Sequence, residues 1–390
     1  MSKSNKQVAL VVGASRGIGR QIAIDLAKDG YAVVVAAKST SDASKCSPFP
    51  PDPNSSASTI STVCREIHES GGEATAITVD TRDFTSIQRM VAKTIEKYRR
   101  LDVLVYNSGA IWWASVAKTP MKRFQLMQRV NVEGLYGVIQ ACLPQFEQSG
   151  GNWKGRIIVV SPPIYSRFFR GKTAYAMGKV GMSILTKGLA MDFQREGKSD
   201  MAVTSIWPAT AVQSAATQNI GGEDAKDLRT AHIFSDAVLQ MIKAPVEEVN
   251  GELLLDEDFL RTKGVNDFDK YNLVEGSKPR RIMPAKFPNL RVKEHDDEGR
   301  RVDSDTAFFL SKCIKTLSEA FSVTLVVALR VSFILTPLIT LLICLATFSG
   351  SFSLAGCQSN SEAIGYTNVI TFPSAISVTL SSTSGIAIVP

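Results

Sequence analysis

Short, largely apolar runs, the first of them unbroken, alternate with longer segments of helical periodicity over the first 260 residues. The runs are 8–12 (Val8-Ala9-Leu10-Val11-Val12), 31–37, 74–79, 103–106, 156–160 and 201–206. Continuous apolarity over four to seven residues predicts strands buried on both faces, as in a parallel sheet. After the first run, Ile18, Ile22, Ala23, Leu26 and Ala27 recur at helical spacing. A second helix is expected to begin near Thr59. Strands that alternate with amphipathic helices predict an α/β fold, a Rossmann-type doubly wound parallel sheet of seven strands. The last strand closes at Leu255-Asp256-Glu257-Asp258.

Two segments depart from this rhythm. Residues 39–58 are rich in Ser and Pro, with Pro48, Pro50, Pro51 and Pro53, and disorder is the simpler expectation, a flap over the adjoining site the alternative. Beyond Pro288 the pattern changes twice. Residues 289–305 are charged without an apolar period and predict a linker. Residues 331–349 hold no charged side chain and are dominated by Ile and Leu. As a helix, this C-terminal extension is long enough to cross a bilayer core of about 30 Å. Lys312, Lys315 and Arg330 precede it and no Lys or Arg follows, which places the enzyme domain on the cytosolic side. The alternative is a tail that does not insert, or one appended by a frame-shifted gene model. The expected organisation is therefore a catalytic domain over 1–288, a charged linker and pre-membrane segment over 289–330, a transmembrane helix over 331–349, and a Ser/Thr-rich tail over 350–390.

Composition narrows the function. The hydrophobic fraction of 44% suffices for a large core. The net charge of +7 is spread without a basic block interleaved with aromatics, so no nucleic-acid partner is expected. Six cysteines lack paired spacing and match no metal site, which fits a reducing compartment.

Two motifs carry the chemistry. Gly13-Ala14-Ser15-Arg16-Gly17-Ile18-Gly19 joins the first strand to the first helix. Gly13 makes the turn, and Gly17 and Gly19 allow backbone to approach a pyrophosphate at the helix N-terminus. Tyr175 and Lys179 stand one helical turn apart on one face. A phenol beside an ammonium is expected to have a lowered pKa and to protonate a carbonyl oxygen. The two motifs together predict hydride transfer. The second strand ends without a carboxylate for a ribose hydroxyl; Lys38 follows it directly, and Arg16 lies in the glycine loop. Two cations suit a 2′-phosphate, so NADP(H) is the expected cofactor.

These residues resemble the short-chain dehydrogenase/reductase superfamily over about residues 7–288. The resemblance implies that Asp80 holds the adenine ring and that Asn107-Ser108-Gly109, with Asn107 and Gly109 at the cofactor, forms the turn after the fourth strand. It further implies that Asn131 positions a water linking Lys179 to solvent, that Lys179 holds the nicotinamide ribose, and that Pro208 and Val212 wall the nicotinamide. The superfamily's catalytic Ser position falls here on Pro162, so Ser161, one residue earlier, is the candidate oxyanion donor. Tyr106 stands where another Asn is usual and is read as local packing. Ala36-Ala37-Lys38, Ser161-Pro162-Pro163 and Trp207-Pro208 resemble the hydroxysteroid dehydrogenase-like subfamily, which implies peroxisomes or mitochondria as alternative locations. Trp112, Trp113, Tyr165, Phe168 and Phe169 flank the expected site and suit an apolar carbonyl or alcohol substrate, or else pack a lid. A catalytically weak NADP-binding scaffold tethered to a membrane is the second functional expectation, and self-association into a homo-oligomer is left open.

Overall fold

The computed structural model describes residues 6–148, 152–220 and 224–290, and three short strands between 369 and 389. The chain divides into two compact units, Met1–Arg301 and Val302–Pro390.

In the first unit the runs become strands, and the three central ones, 8–12, 32–37 and 103–106, are buried at every position, as in a sheet covered on both faces. The strands are β1 (Val8–Val12), β2 (Ala32–Ala37), β3 (Glu73–Thr78) and β4 (Val103–Tyr106), then β5 (Glu147–Gln148), β6 (Asn152–Val160), β7 (Asp200–Trp207) and β8 (Leu253–Leu255). The order is β3-β2-β1-β4-β6-β7-β8, with the two-residue β5 added antiparallel to β6. The seven strands of the path are parallel, as the alternation with helices required. Val12 is level with both Ala36 and Tyr106, and Tyr106 with Val159. The carboxyl ends of the central strands therefore lie along one edge. Winding reverses between β1 and β4, and such a switch point opens a crevice for ligands.

The helices are α1 (Gly17–Lys28), α2 (Ile60–Glu69), α3 (Phe84–Tyr98), α4 (Met121–Gln128), α5 (Gly134–Cys142), α6 (Thr173–Arg195), α7 (Ala215–Ile220), α8 (His232–Lys243), α9 (Val246–Val249) and α10 (Asp256–Thr262). Strand alternation sends Val11, Val33 and Val35 to one face, against Leu26, Val63 and Val238. Leu10, Val34 and Leu104 go to the other, against Met90, Leu135 and Met182. Two apolar layers thus enclose the sheet.

The expectation of disorder over 39–58 is overturned. Asp42 accepts from the Ser44 N–H, Arg65 stacks 3.7 Å from the Phe49 ring centre, and Thr59 caps α2 through a reciprocal capping box with Thr62. The segment also bonds to the glycine loop. The Gly17 N–H donates to the Pro53 carbonyl at 2.9 Å, and the buried Ser58 hydroxyl donates to the Ser15 carbonyl at 2.7 Å. Polar caps and backbone bonds hold this segment, and an apolar pattern does not register either.

In the second unit, β9 (Val369–Thr371), β10 (Ser377–Thr379) and β11 (Ala387–Val389) pair antiparallel in the order β11-β10-β9. The run 331–349, expected to be a membrane helix, lies outside the described residues. Among the described residues no helix is long and apolar enough to cross a membrane.

The approach of α1 to β1 leaves no room for a side chain at Gly19, where a Cβ would collide with the Gly13 carbonyl oxygen. Gly188, within α6, has nothing within 4 Å of an added Cβ. Gly19→Ala should therefore destabilise the chain by about 1–3 kcal/mol. Gly188→Ala should stabilise it by about 0.5–1 kcal/mol, because helical Gly carries an entropic cost. Urea unfolding of the two variants checks this, and equal shifts would contradict the tight contact at Gly19.

Candidate active site

At the carboxyl edge of the sheet a cleft of about 510 Å³ runs from Lys38 and Ser39, past the glycine loop, to Tyr175 and Trp207. Of the residues expected at the site, Gly13, Ser15, Arg16, Gly17, Ile18, Lys38, Asn107, Gly109, Tyr175, Lys179, Pro208 and Val212 line it. Gly19, Asp80, Asn131 and Ser161 are not among its lining residues.

The glycine loop is held open by backbone contacts. Gly13 has φ +90°, and a Cβ there would lie 2.6 Å from the Ser108 nitrogen. Its N–H donates to the Ala36 carbonyl, and its own carbonyl accepts from Asn107 Nδ2 at 3.0 Å. Asn107 therefore ties the end of β4 to the loop while lining the cleft. Ile18, in the first turn of α1, also faces the cleft, where the helix dipole favours an anion. A narrow backbone-walled trough at a helix N-terminus, with Lys38 at one end, fits a dinucleotide.

Tyr175 and Lys179 lie at the other end. Tyr175 and Lys179 occupy successive turns of α6 and are both buried. Lys179 Nζ donates to the Val160 carbonyl, at the end of β6, at 2.8 Å. Burial lowers the Lys179 pKa to about 7, and burial raises the Tyr175 phenol well above its ordinary value near 10. The expectation of a phenol lowered by its lysine is corrected here: desolvation of the two groups is the cause that acts.

Asn131 lies in a single π-helical turn, Arg129–Glu133, between α4 and α5. The Val130 carbonyl accepts from the buried Tyr106 hydroxyl at 2.6 Å, so Tyr106 braces this turn, in line with its packing role. Asn131 Oδ1 accepts from the Ala110 N–H at 2.9 Å, and its Nδ2 donates to the Ala110 carbonyl at 3.1 Å. It clamps the loop after β4 and makes no direct bond to Lys179. A Cβ on Gly109 would lie 3.5 Å from Lys179 Nζ and 3.6 Å from Asn131 Oδ1, so the three groups converge.

Two expected site residues, Asp80 and Ser161, lie outside the cleft lining. Asp80 accepts from the Arg82 N–H, from Arg82 Nε at 2.8 Å and Nη2 at 2.6 Å, and from Lys38 Nζ at 3.4 Å. Hydrogen bonds from Arg82 hold its carboxyl far below the usual range, and it stands outside the cleft lining. Ser161 is fully buried, and its hydroxyl has no hydrogen-bond partner among the described residues. Its carbonyl accepts from the Ser205 hydroxyl. The Pro162-Pro163 pair that follows leaves no N–H to fasten the turn differently.

Sequence reasoning also missed part of the wall. Ile282 lines the cleft from 70 residues beyond Val212. Its N–H and that of Met283 donate to the Ala209 carbonyl at 2.9 and 3.2 Å. The Ala209 N–H donates to Asp256 Oδ1 at 2.8 Å, and the Glu257 N–H donates to the same oxygen at 2.7 Å. Burial raises Asp256 to about 7. Nothing in the local pattern signals this strap, because backbone bonds fasten it. Ser108, Ala110, Ile111, Ser214 and Thr217 also line the cleft, and of these five Ser108 alone lay inside a motif already singled out.

A family model for short chain dehydrogenases matches residues 7–48 and 54–224. Hydroxysteroid dehydrogenase-like protein 2 of Danio rerio is 37% identical over 319 residues, which cover 80% of this chain and 72% of that protein. The protein of the same name from Mus musculus is 35% identical over 290 residues, 74% of this chain, and the chain spans only 54% of its length. Among solved structures, a short chain dehydrogenase from Mycobacterium thermoresistibile is 35% identical with a TM-score of 0.61, covering 70% of this chain and 93% of that one.

Buried Lys179 generates a pH prediction. Between about 7 and its ordinary 10.5, the folded chain has released a proton that the unfolded chain still holds. Stability from this group therefore rises with pH across that window, and the penalty is largest below pH 7. Lys179→Met should be more stable than wild type relative to its own value at pH 10 by a few kcal/mol at pH 7. Urea unfolding across pH 6–10 measures it, and a pH-independent difference between the two proteins would contradict the desolvation.

Proposed function

Because this chain belongs to the short chain dehydrogenase family, we propose that it is an oxidoreductase moving hydride between NADP(H) and an apolar carbonyl or alcohol, with Tyr175 as general acid and base. The observation that carries this reading is the shared cleft: glycine loop, Tyr175 and Lys179 all line it.

The dinucleotide would supply or accept the hydride, held by the glycine loop, Asn107 and Lys179. In reduction, the Tyr175 hydroxyl gives its proton to the oxygen that gains charge; in oxidation, the phenolate takes it back. A buried phenol resists early ionisation and so remains a proton donor at neutral pH. A buried lysine near neutrality gains most from an adjacent developing anion, because the low dielectric strengthens their attraction. Lys179 keeps its ammonium fixed through the Val160 carbonyl, and Asn131 keeps the opposing loop at the distance this requires.

Ser161 supports a second reading. Its buried hydroxyl outside the cleft lining favours a catalytically weak NADP-binding scaffold, since oxyanion stabilisation is a large term elsewhere. Tyr175→Phe separates the two. Loss of turnover by about 10²–10⁴-fold with retained cofactor affinity supports the enzyme. Ser161→Ala should remain within a few-fold of wild type, below the roughly 10²-fold cost of losing an oxyanion donor. A Tyr175→Phe variant with more than about half the wild-type rate would sink the acid–base assignment.

Lys38 and Arg16 support NADP(H), as both line the cleft and no carboxylate ends β2. Lys38→Asp should shift preference toward NADH, read as the ratio of Kd values in fluorescence titrations. An unchanged ratio would show that Lys38 does not read the phosphate.

A further inference from the structure

Beside the aromatic end of the cleft, behind its lining, lies a cation with no ion-pair partner among the described residues. Lys172 precedes α6 and stands three residues before Tyr175. Its Nζ lies 4.4 Å from the ring centre of Trp113 and 4.5 Å from that of Phe168. Those rings in turn lie 6.4 and 6.3 Å from the Tyr175 ring, centre to centre. Phe168 also meets Trp207 edge-on at 5.9 Å. Trp113, Tyr175 and Trp207 line the cleft, so the ammonium is one ring away from the reacting end.

The surrounding sequence sharpens this. The runs 103–132, 148–191, 201–222 and 276–290 contain no Asp or Glu. These runs contribute Trp113, Tyr175, Trp207 and Ile282 to the cleft wall. They bring Lys118, Arg123, Arg167, Arg170 and Lys172 with them. Arg280 and Arg281, in the last run, are paired with Asp227 and Asp258 from elsewhere. Lys172 makes no ion pair among the described residues, and burial alone lowers its pKa. Cation–π contact with two faces offsets part of that desolvation, on the order of 1 kcal/mol per ring. Lys172 is half-buried and Trp113 exposed, so an anion could reach the ammonium from solvent and offset the rest of that cost.

We infer that the substrate is an apolar carbonyl or alcohol bearing an anionic group, carboxylate or phosphate, which Lys172 receives between Trp113 and Phe168 while the apolar body lies along the aromatic wall. This names the substrate class of the site proposed above and rests on that reading. Lys172 acts here as a specificity residue and takes no part in proton transfer.

A matched set of probes tests it: a medium-chain ketone with a terminal carboxylate, its methyl ester, and the matching terminal phosphate monoester. Turnover is measured with NADPH, and binding by quenching of tryptophan fluorescence in the full chain. Wild type should favour a charged probe over the ester by about tenfold or more in both KM and Kd, a difference of 1.4 kcal/mol. The better of the two charged probes identifies the anion. Lys172→Met should lose that advantage while handling the ester as wild type does, and Lys172→Arg should restore it. Equal binding of ester and charged probes by wild type, failure of every probe to bind, or equal losses for ester and charged probes in Lys172→Met would each overturn the inference. The two readings fail separately. Charge-selective binding without turnover keeps the role of Lys172 and removes the oxidoreductase, whereas turnover of the ester without charge selectivity does the reverse.

Discussion

The contact of α1 against β1 is the constraint on which the rest depends. Gly19 sits against the Gly13 carbonyl, and that carbonyl also accepts from Asn107 at the end of β4. One oxygen therefore couples the first crossover helix to the switch point of the sheet. A side chain at Gly19 would push α1 outward, widen the trough and break the bond that positions the loop after β4. Through Asn107 and Gly109 the same constraint reaches Asn131 and Lys179, so the glycine loop and the Tyr175–Lys179 helix are parts of one scaffold.

Desolvation dominates the electrostatics of the site. Tyr175 and Lys179 lie on adjacent turns of one helix, yet burial drives the phenol up and the ammonium down. Both shifts move these two groups toward their neutral forms. Such a site responds strongly to charge that arrives with ligands, because little water is left to screen it. The Val160 carbonyl and the Asn131 clamp on Ala110 keep these groups in place meanwhile.

At the opposite end, the 39–58 segment and the Asp80 cluster show how polar groups build a wall. The Pro53 carbonyl and the Ser58 hydroxyl anchor the segment to the glycine loop. Asp80, Arg82 and Lys38 form a linked set of charges beside the end of β2. Lys38 is exposed and its ion pair to Asp80 is long, so that contact adds little to stability.

The sequence by itself determined the seven-strand parallel sheet, its two apolar layers and the elements that carry the glycine loop, Tyr175 and Lys179. These follow from periodicity and spacing, which are local properties of the chain. Helix α2 was equally legible, since Thr59 and Thr62 form its cap within four residues. The tertiary structure alone decided the order of the 39–58 segment, the strap from Asp256 through Ala209 to Ile282, the pairing of Asp80 with Lys38 and the burial of Ser161. It also decided the pKa directions at Tyr175 and Lys179, and the position of Lys172 between two rings. Each of these is fixed by backbone hydrogen bonds between distant segments or by the removal of water from a side chain, and neither leaves a periodic trace in the order of residues.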